Sequence, residues 1–228
     1  MQFNILCDFD GTVALQDTTD LILSAYADPQ WEVVEKQWKA GKIGSAECMR
    51  RQIELIDASP AELQALLDEV EIDPYFTEFA EFCARRHLKL IIASDGVDYF
   101  IRHILARIEM AHLPIRSNRL VVNSERSYTL AFPEAQSGCA SGTCKCALAQ
   151  ASESQTLLIG DGRSDFCLAH QADIVLAKKS LLDYCRQHHL RHAAFEDFSD
   201  VRSMIAALID TPQIATPSHM SNPVSLAM

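Results

Sequence analysis

The chain has 228 residues, with 20 Lys and Arg against 31 Asp and Glu, a formal charge of −11 and eight cysteines. That length suits one core domain with a sizeable insertion, and the acidic balance argues against a nucleic-acid or anionic-membrane surface, so any phosphorylated ligand must be drawn in by a local positive site. No run approaches the ~18 apolar residues of a membrane span and the N-terminus lacks a basic stretch leading into an apolar one, so a cytoplasmic protein with reduced thiols is expected.

The first apolar run, residues 3–7, predicts a buried strand that stops at Asp8-Phe9-Asp10-Gly11-Thr12. In extended chain, residues i and i+2 face the same way, so Asp8 and Asp10 can reach one ligand while Phe9 turns into the fold. Gly11 lets the backbone approach that ligand closely. One carboxylate can attack phosphorus and the other can give a proton to the departing alkoxide. Two anions facing a phosphate need a cation, which predicts Mg²⁺. Taken alone, Asp-x-Asp-Gly is more readily a helix cap or turn, and the rest of the chain has to decide.

Residues 18–26, 29–40, 45–56, 60–69 and 74–86 read as helices, too much for a simple crossover. Ser59-Pro60-Ala61-Glu62 marks one helix start with a cap, a Pro and an acidic first turn. This predicts a helical cap over residues 17–86, inserted into a discontinuous core of residues 1–16 and 87–210. Trp31 and Trp38, seven apart in that cap, suit one packed helix face more readily than an aromatic substrate box.

A second apolar run, 88–93, ends at Ser94-Asp95-Gly96, with a helix expected from Val97 whose free N–H groups and the Ser94 hydroxyl suit a phosphate oxygen. A β-hairpin is expected from 119–123 and 128–132. Lys145 stands at a helix start, where it can offset phosphate charge or simply be a solvated lysine. Two further runs, 156–159 and 173–176, complete an open α/β sheet whose ligands bind beyond the strands' carboxyl ends. The third run exits at Gly160-Asp161-Gly162-Arg163-Ser164-Asp165, where Asp161 can complete the metal site with Asp8, and Asp165 can assist it or cap a helix. From Thr211 onward the chain is rich in Pro, Ser and Thr, which predicts a mobile tail.

In order, the Asp8–Thr12 motif, Ser94, Lys145 and Gly160-Asp161-Gly162-x-x-Asp165 resemble the four motifs of the haloacid-dehalogenase-like phosphotransferases, over about residues 3–209. The resemblance implies a Rossmann-like core of mainly parallel sheet with a helical cap after the first strand. It makes Asp8 the nucleophile, Asp10 the acid/base, and Ser94 and Lys145 the phosphoryl clamp. Mg²⁺ would be held by Asp8, the Asp10 carbonyl and Asp161, with Asp165, Gly11 and Thr12 in support.

The helical insertion resembles the phosphoserine-phosphatase branch. Ser94 to Phe100, the Phe132-Pro133 to Lys145 segment and Asp183-Tyr184-Cys185-Arg186 resemble the bacterial methionine-salvage phosphatases acting on 2-hydroxy-3-keto-5-methylthiopentenyl 1-phosphate. Against the phosphoserine phosphatases, Asp17 matches an acidic cap residue. Gln52 falls where an arginine would grip the serine carboxylate, which disfavours phosphoserine unless Arg50 or Arg51 takes that place.

The implied partner is a small phosphorylated metabolite. Transfer of the phosphoryl group to a second hydroxyl, phosphoserine hydrolysis, and a phosphate-binding module without turnover are the rival readings. Cys139, Cys144 and Cys146 give three ligands where structural zinc wants four. His188, His189 and His192 lack the acidic companion of a metal motif, and no phosphate-binding Gly-x4-Gly-Lys occurs.

Overall fold

The computed structural model describes residues 3–210. The segment expected to form a mobile tail lies outside these described residues. The first strand, β1 (Phe3–Cys7), is buried at every position. Five helices follow before the chain returns to the sheet: α1 (Thr18–Tyr26), α2 (Trp31–Lys39), α3 (Ser45–Ile53), α4 (Pro60–Leu67) and α5 (Phe76–Arg85). Then come β2 (Lys89–Val97), α6 (Asp98–Arg107) and the hairpin β3 (Ile115–Ser124) with β4 (Ser127–Ala131). The chain closes with α7 (Lys145–Gln150), β5 (Gln155–Gly160), α8 (Phe166–Ala169), β6 (Ile174–Ala177), α9 (Lys179–Gln187), β7 (His192–Ala194) and α10 (Phe198–Asp210).

The sheet has seven strands in the order β4-β3-β2-β1-β5-β6-β7, parallel except for the β3–β4 hairpin. Chain order therefore reverses direction at β1. The strands on one side are reached through β2 and those on the other through β5, and the gap beyond β1 and β5 is the switch point where open sheets bind ligands. Cys7 pairs with Ile159 at the last rung, and Asp8 N–H donates to the Ile159 carbonyl at 2.9 Å, so Asp8 and Gly160-Asp161 leave the sheet side by side.

Several boundaries depart from the periodicity. β2 does not stop at Ala93 but continues to Val97, and its register against β3 shifts between Ala93 and Val97. Ser94, Asp95 and Gly96 thus occupy an irregular stretch of strand, not a helix start, and α6 begins only at Asp98. β3 begins at Ile115, earlier than its polar residues suggested. β7, three residues long, is too short to announce itself by alternation.

The core lies on both faces of the sheet. On one, Phe76 and Phe79 of α5 each place their rings 5.1 Å from that of Phe198 in α10, closing the sheet side beneath β2. α4 starts as expected, with Ser59 and Glu62 forming a reciprocal capping box ahead of Pro60. Arg126, in the β3–β4 turn, reaches Asp57 at 2.5 Å and Glu62 at 2.7 Å, tying the hairpin to that helix start. No helix among the described residues is long and apolar enough to cross a membrane.

Candidate active site

Asp8, Asp10, Ser94 and Asp161 face a cavity of about 340 Å³ that is closed on its far side by residues of α1, α2 and α3. Asp8 is 5% exposed and its carboxylate is held on three sides. Oδ1 accepts from Phe9 N–H at 2.8 Å and lies 3.0 Å from Lys145 Nζ, while Oδ2 accepts from Ser164 Oγ at 3.2 Å. These contacts fix the direction from which Asp8 meets the cavity.

Lys145 is no solvated lysine. Its side chain is 2% exposed, and Nζ lies 2.6 Å from Asp165 Oδ1 and 3.1 Å from Ser164 Oγ. Burial works to lower its pKa, but Asp165 and Asp8 beside it together raise it above the ordinary lysine value. Burial, and next the Asp8 charge, pushes the Asp165 carboxyl upward, with Lys145 opposing. With Nζ this close, the ion pair is the state we assign.

Asp10 is turned away from Lys145. Its Oδ1 accepts from Thr18 N–H at 2.9 Å and from Thr18 Oγ1 at 2.6 Å. Burial raises this carboxyl to about 6, with the two Thr18 hydrogen bonds lowering it and the Asp8 and Asp161 charges adding to the rise. A carboxyl placed there gives and takes a proton near neutral pH far more readily than an ordinary aspartate. The backbone gives it room, since a Cβ on Gly96 would overlap Asp10 Oδ2. Gly96 N–H donates to Ser94 Oγ at 3.0 Å, fixing that hydroxyl at the cavity floor.

Carboxylate oxygens of Asp8, Asp161 and Asp165 lie within 4.8 Å of one another, the one such group of three metal-ligating residues among those described. Burial first, then the Asp8 charge, raises the Asp161 pKa, with Lys179 and Lys178 opposing. The donor set of Asp8, Asp161 and Asp165 is oxygen only, which fits a hard divalent cation such as Mg²⁺. Lys179 Nζ stands 3.0 Å from Asp161 Oδ2 and 2.9 Å from the Gly11 carbonyl. Thr12 Oγ1 donates to Asp161 Oδ1 at 3.3 Å. Gly11, at φ +69°, takes the left-handed turn this crowding requires, since a Cβ there would run into the Asp161 carboxylate.

The far wall separates the remaining expectations. Asp17 caps α1 through Asp20 N–H at 2.9 Å and also lines the cavity. Gln52 is buried on the wall, its Nε2 donating to Glu35 Oε2 at 3.0 Å. Glu35 in turn pairs with Lys39 at 3.1 Å. Arg50 and Arg51 do not come to the site. Arg50 pairs with Glu47 at 2.6 Å on the surface, and Arg51 donates to Gln37 at 3.0 Å beside a separate shallow hollow. Trp38 departs from the packing expectation. It lines the cavity, with the Arg163 guanidinium 5.3 Å above its ring and an Arg163 N–H donating to the Lys39 carbonyl at 3.4 Å.

Thr18, Ser164, Lys179 and Glu35 were not singled out by the sequence. A hydroxyl in the first turn of the helix following the motif was the available signal for Thr18, and a hydroxyl between Asp161 and Asp165 the one for Ser164. Cys139, Cys144 and Cys146 do not converge as a group of three ligands. His188 packs against Tyr184, with ring centroids 4.2 Å apart.

A family model described as haloacid dehalogenase-like hydrolase matches residues 5–170. The chain belongs to that family. The 2-hydroxy-3-keto-5-methylthiopentenyl-1-phosphate phosphatase of Brevibacillus brevis is 32% identical over 207 residues, covering 86% of this chain and 92% of the relative. The protein of the same name from Geobacillus kaustophilus is 30% identical over 214 residues, covering 88% and 94%. Among solved structures, a phospho-aspartyl intermediate analogue of phosphoserine phosphatase aligns with a TM-score of 0.66 at 17% identity, over 89% of this chain and 98% of that one. This haloacid dehalogenase-like chain therefore shares its fold with phosphoserine phosphatase and resembles in sequence enzymes named as phosphatases.

Proposed function

We propose that this hydrolase is a Mg²⁺-dependent phosphomonoesterase that works through an aspartyl phosphate on Asp8. The observation that carries the reading is the pairing at the β1 exit. Asp8 is held by Lys145 and Ser164, while Asp10, two residues on, is buried and raised to about 6. In the first step an Asp8 carboxylate oxygen attacks phosphorus and the bond to the leaving oxygen breaks. Asp10 delivers its proton to that alkoxide. Water then attacks the phosphoaspartate, Asp10 takes the water's proton, and Asp8 is freed with inorganic phosphate. Ser94 Oγ and the Lys145 ammonium hold the phosphoryl oxygens throughout. Asp8 and Asp161, with Asp165 and the Asp10 carbonyl, would hold Mg²⁺, whose chemistry is to neutralise charge on the phosphate.

The helices α1 to α4 are the cap in this reading. α5 goes with the core, because it packs on β2 and α10. The cap wall supports a substrate without a carboxylate. Gln52 is engaged by Glu35, Arg50 and Arg51 point elsewhere, and the guanidinium that does line the cavity, Arg163, is occupied by Trp38. Asp17 and Asp20 also line this wall, and its lysine, Lys39, is paired with Glu35 at 3.1 Å. Together with the substrate for which the relatives are named, this favours 2-hydroxy-3-keto-5-methylthiopentenyl 1-phosphate or a similar uncharged chain over phosphoserine.

The test is a panel of phosphorylated metabolites, including both compounds, assayed with Mg²⁺ for phosphate release. We expect the methylthio compound to have the higher kcat/KM, and Asp8→Asn to abolish turnover, since an amide cannot replace the attacking carboxylate. Steady turnover by Asp8→Asn would refute the nucleophile, and phosphoserine as the best substrate would refute the specificity.

A further inference from the structure

Cys146 follows Lys145 directly in the first turn of α7, and Cys167 lies in α8, two residues past Asp165. Their Sγ atoms stand 3.2 Å apart. A disulfide bond is about 2.05 Å long, so closing it asks the two sulfurs to approach by only about 1 Å. Cys167 is exposed and Cys146 is buried, so an oxidant from solution meets Cys167 first.

We propose that Cys146 and Cys167 form a reversible thiol–disulfide site, oxidised by a low-molecular-weight disulfide such as oxidised glutathione, and that its closure lowers turnover. Cys167 Sγ attacks one sulfur of glutathione disulfide. That S–S bond breaks and one glutathione thiolate leaves. Cys146 Sγ, its proton lost to solvent, then attacks Cys167 Sγ and expels the second glutathione thiolate. Two protein thiols are oxidised, one glutathione disulfide is reduced, and the two thiol protons end on two glutathione molecules.

The link to turnover rests on the role proposed above for Lys145. α7 carries Lys145, and the turn into α8 carries Ser164 and Asp165, which hold Lys145 Nζ at 3.1 and 2.6 Å. Drawing the sulfurs together pulls on the backbone next to both ends of that contact. Displacements of about 1 Å at a positioned group can cost up to ~100-fold in rate.

The experiment incubates the reduced full-length protein with oxidised glutathione, then counts free thiols, maps disulfides by peptide mass and assays hydrolysis of p-nitrophenyl phosphate with Mg²⁺. Expected are a fall from eight free thiols by two, a Cys146–Cys167 peptide, and a loss of rate of about tenfold or more that dithiothreitol restores. Cys167→Ser should keep the basal rate and be insensitive to the same treatment, and Cys146→Ala should stop at a glutathione adduct on Cys167. A stable glutathione adduct on the wild type, a different cysteine pair, an unchanged rate in the linked protein, or equal sensitivity of Cys167→Ser would each overturn the proposal. If the reduced protein hydrolyses no phosphate ester, the phosphatase reading fails while the peptide map still decides whether the bond forms.

Discussion

Asp10 works as a proton carrier only if something fixes its carboxyl while leaving its second oxygen free. Thr18 does this with both its N–H and its hydroxyl on Oδ1. Thr18→Val keeps the shape and the backbone contact but removes the 2.6 Å hydroxyl bond. Hydrogen bonds to charged groups contribute about 1.5–3 kcal/mol, so kcat should fall roughly tenfold to a hundredfold with KM little changed. Losing a bond to the ionised form also raises the Asp10 pKa, so the limb of the rate profile that reports Asp10 should move to higher pH. Steady-state kinetics across pH on the folded variant decide this, and a kcat within a factor of about two of wild type would remove Thr18 from the positioning role.

Besides Thr18 on Asp10, two further contacts join the cap to the core beside the chemistry. Ser45 Oγ, at the start of α3, donates to Asp95 Oδ2 at 2.5 Å, and Asp95 Oδ1 accepts from Thr143 N–H at 2.9 Å, two residues before Lys145. On the other rim Arg163 clasps Trp38 of α2. A cation–π contact contributes about 0.5–2 kcal/mol, so Arg163→Ala should raise KM by roughly twofold to thirtyfold if the clasp holds the cap over bound substrate. Trp38→Ala should do the same, and the double variant should be no worse than the worse single one. Additive losses in that cycle would show that the two residues act separately.

The motif residues were legible because each stands where an apolar run ends, which places Asp8 and Asp161 at true strand exits, whereas Ser94 follows its run but lies inside β2, which continues to Val97. Partners that reach across elements were not. Thr18, Glu35 and the Trp38–Arg163 pair meet their targets through tertiary packing, and helical periodicity assigns them only to a face. Arg50 and Arg51 show the converse, because two and one positions before Gln52 on α3 they fall on other faces of the helix and engage Glu47 and Gln37 instead.

The sheet's switch point gathers Asp8, Asp161 and Asp165 into one place within a chain of formal charge −11. Folding brings these carboxylates together, so a dication bound among them would remove the repulsion between them. Binding to the folded state alone should then stabilise the entire fold. At a Mg²⁺ concentration about 100 times the dissociation constant, linkage contributes about 2.7 kcal/mol. For a domain of this size each kcal/mol moves Tm by about 2–4 °C, so Tm should rise by roughly 5–11 °C. Asp161→Asn should lose most of that rise, because it removes one negative ligand without touching the core. Calorimetry of both proteins with chelator and with saturating Mg²⁺ measures the effect independently of turnover. A wild-type Tm that does not move, or an equal rise in Asp161→Asn, would count against a Mg²⁺ site at these residues.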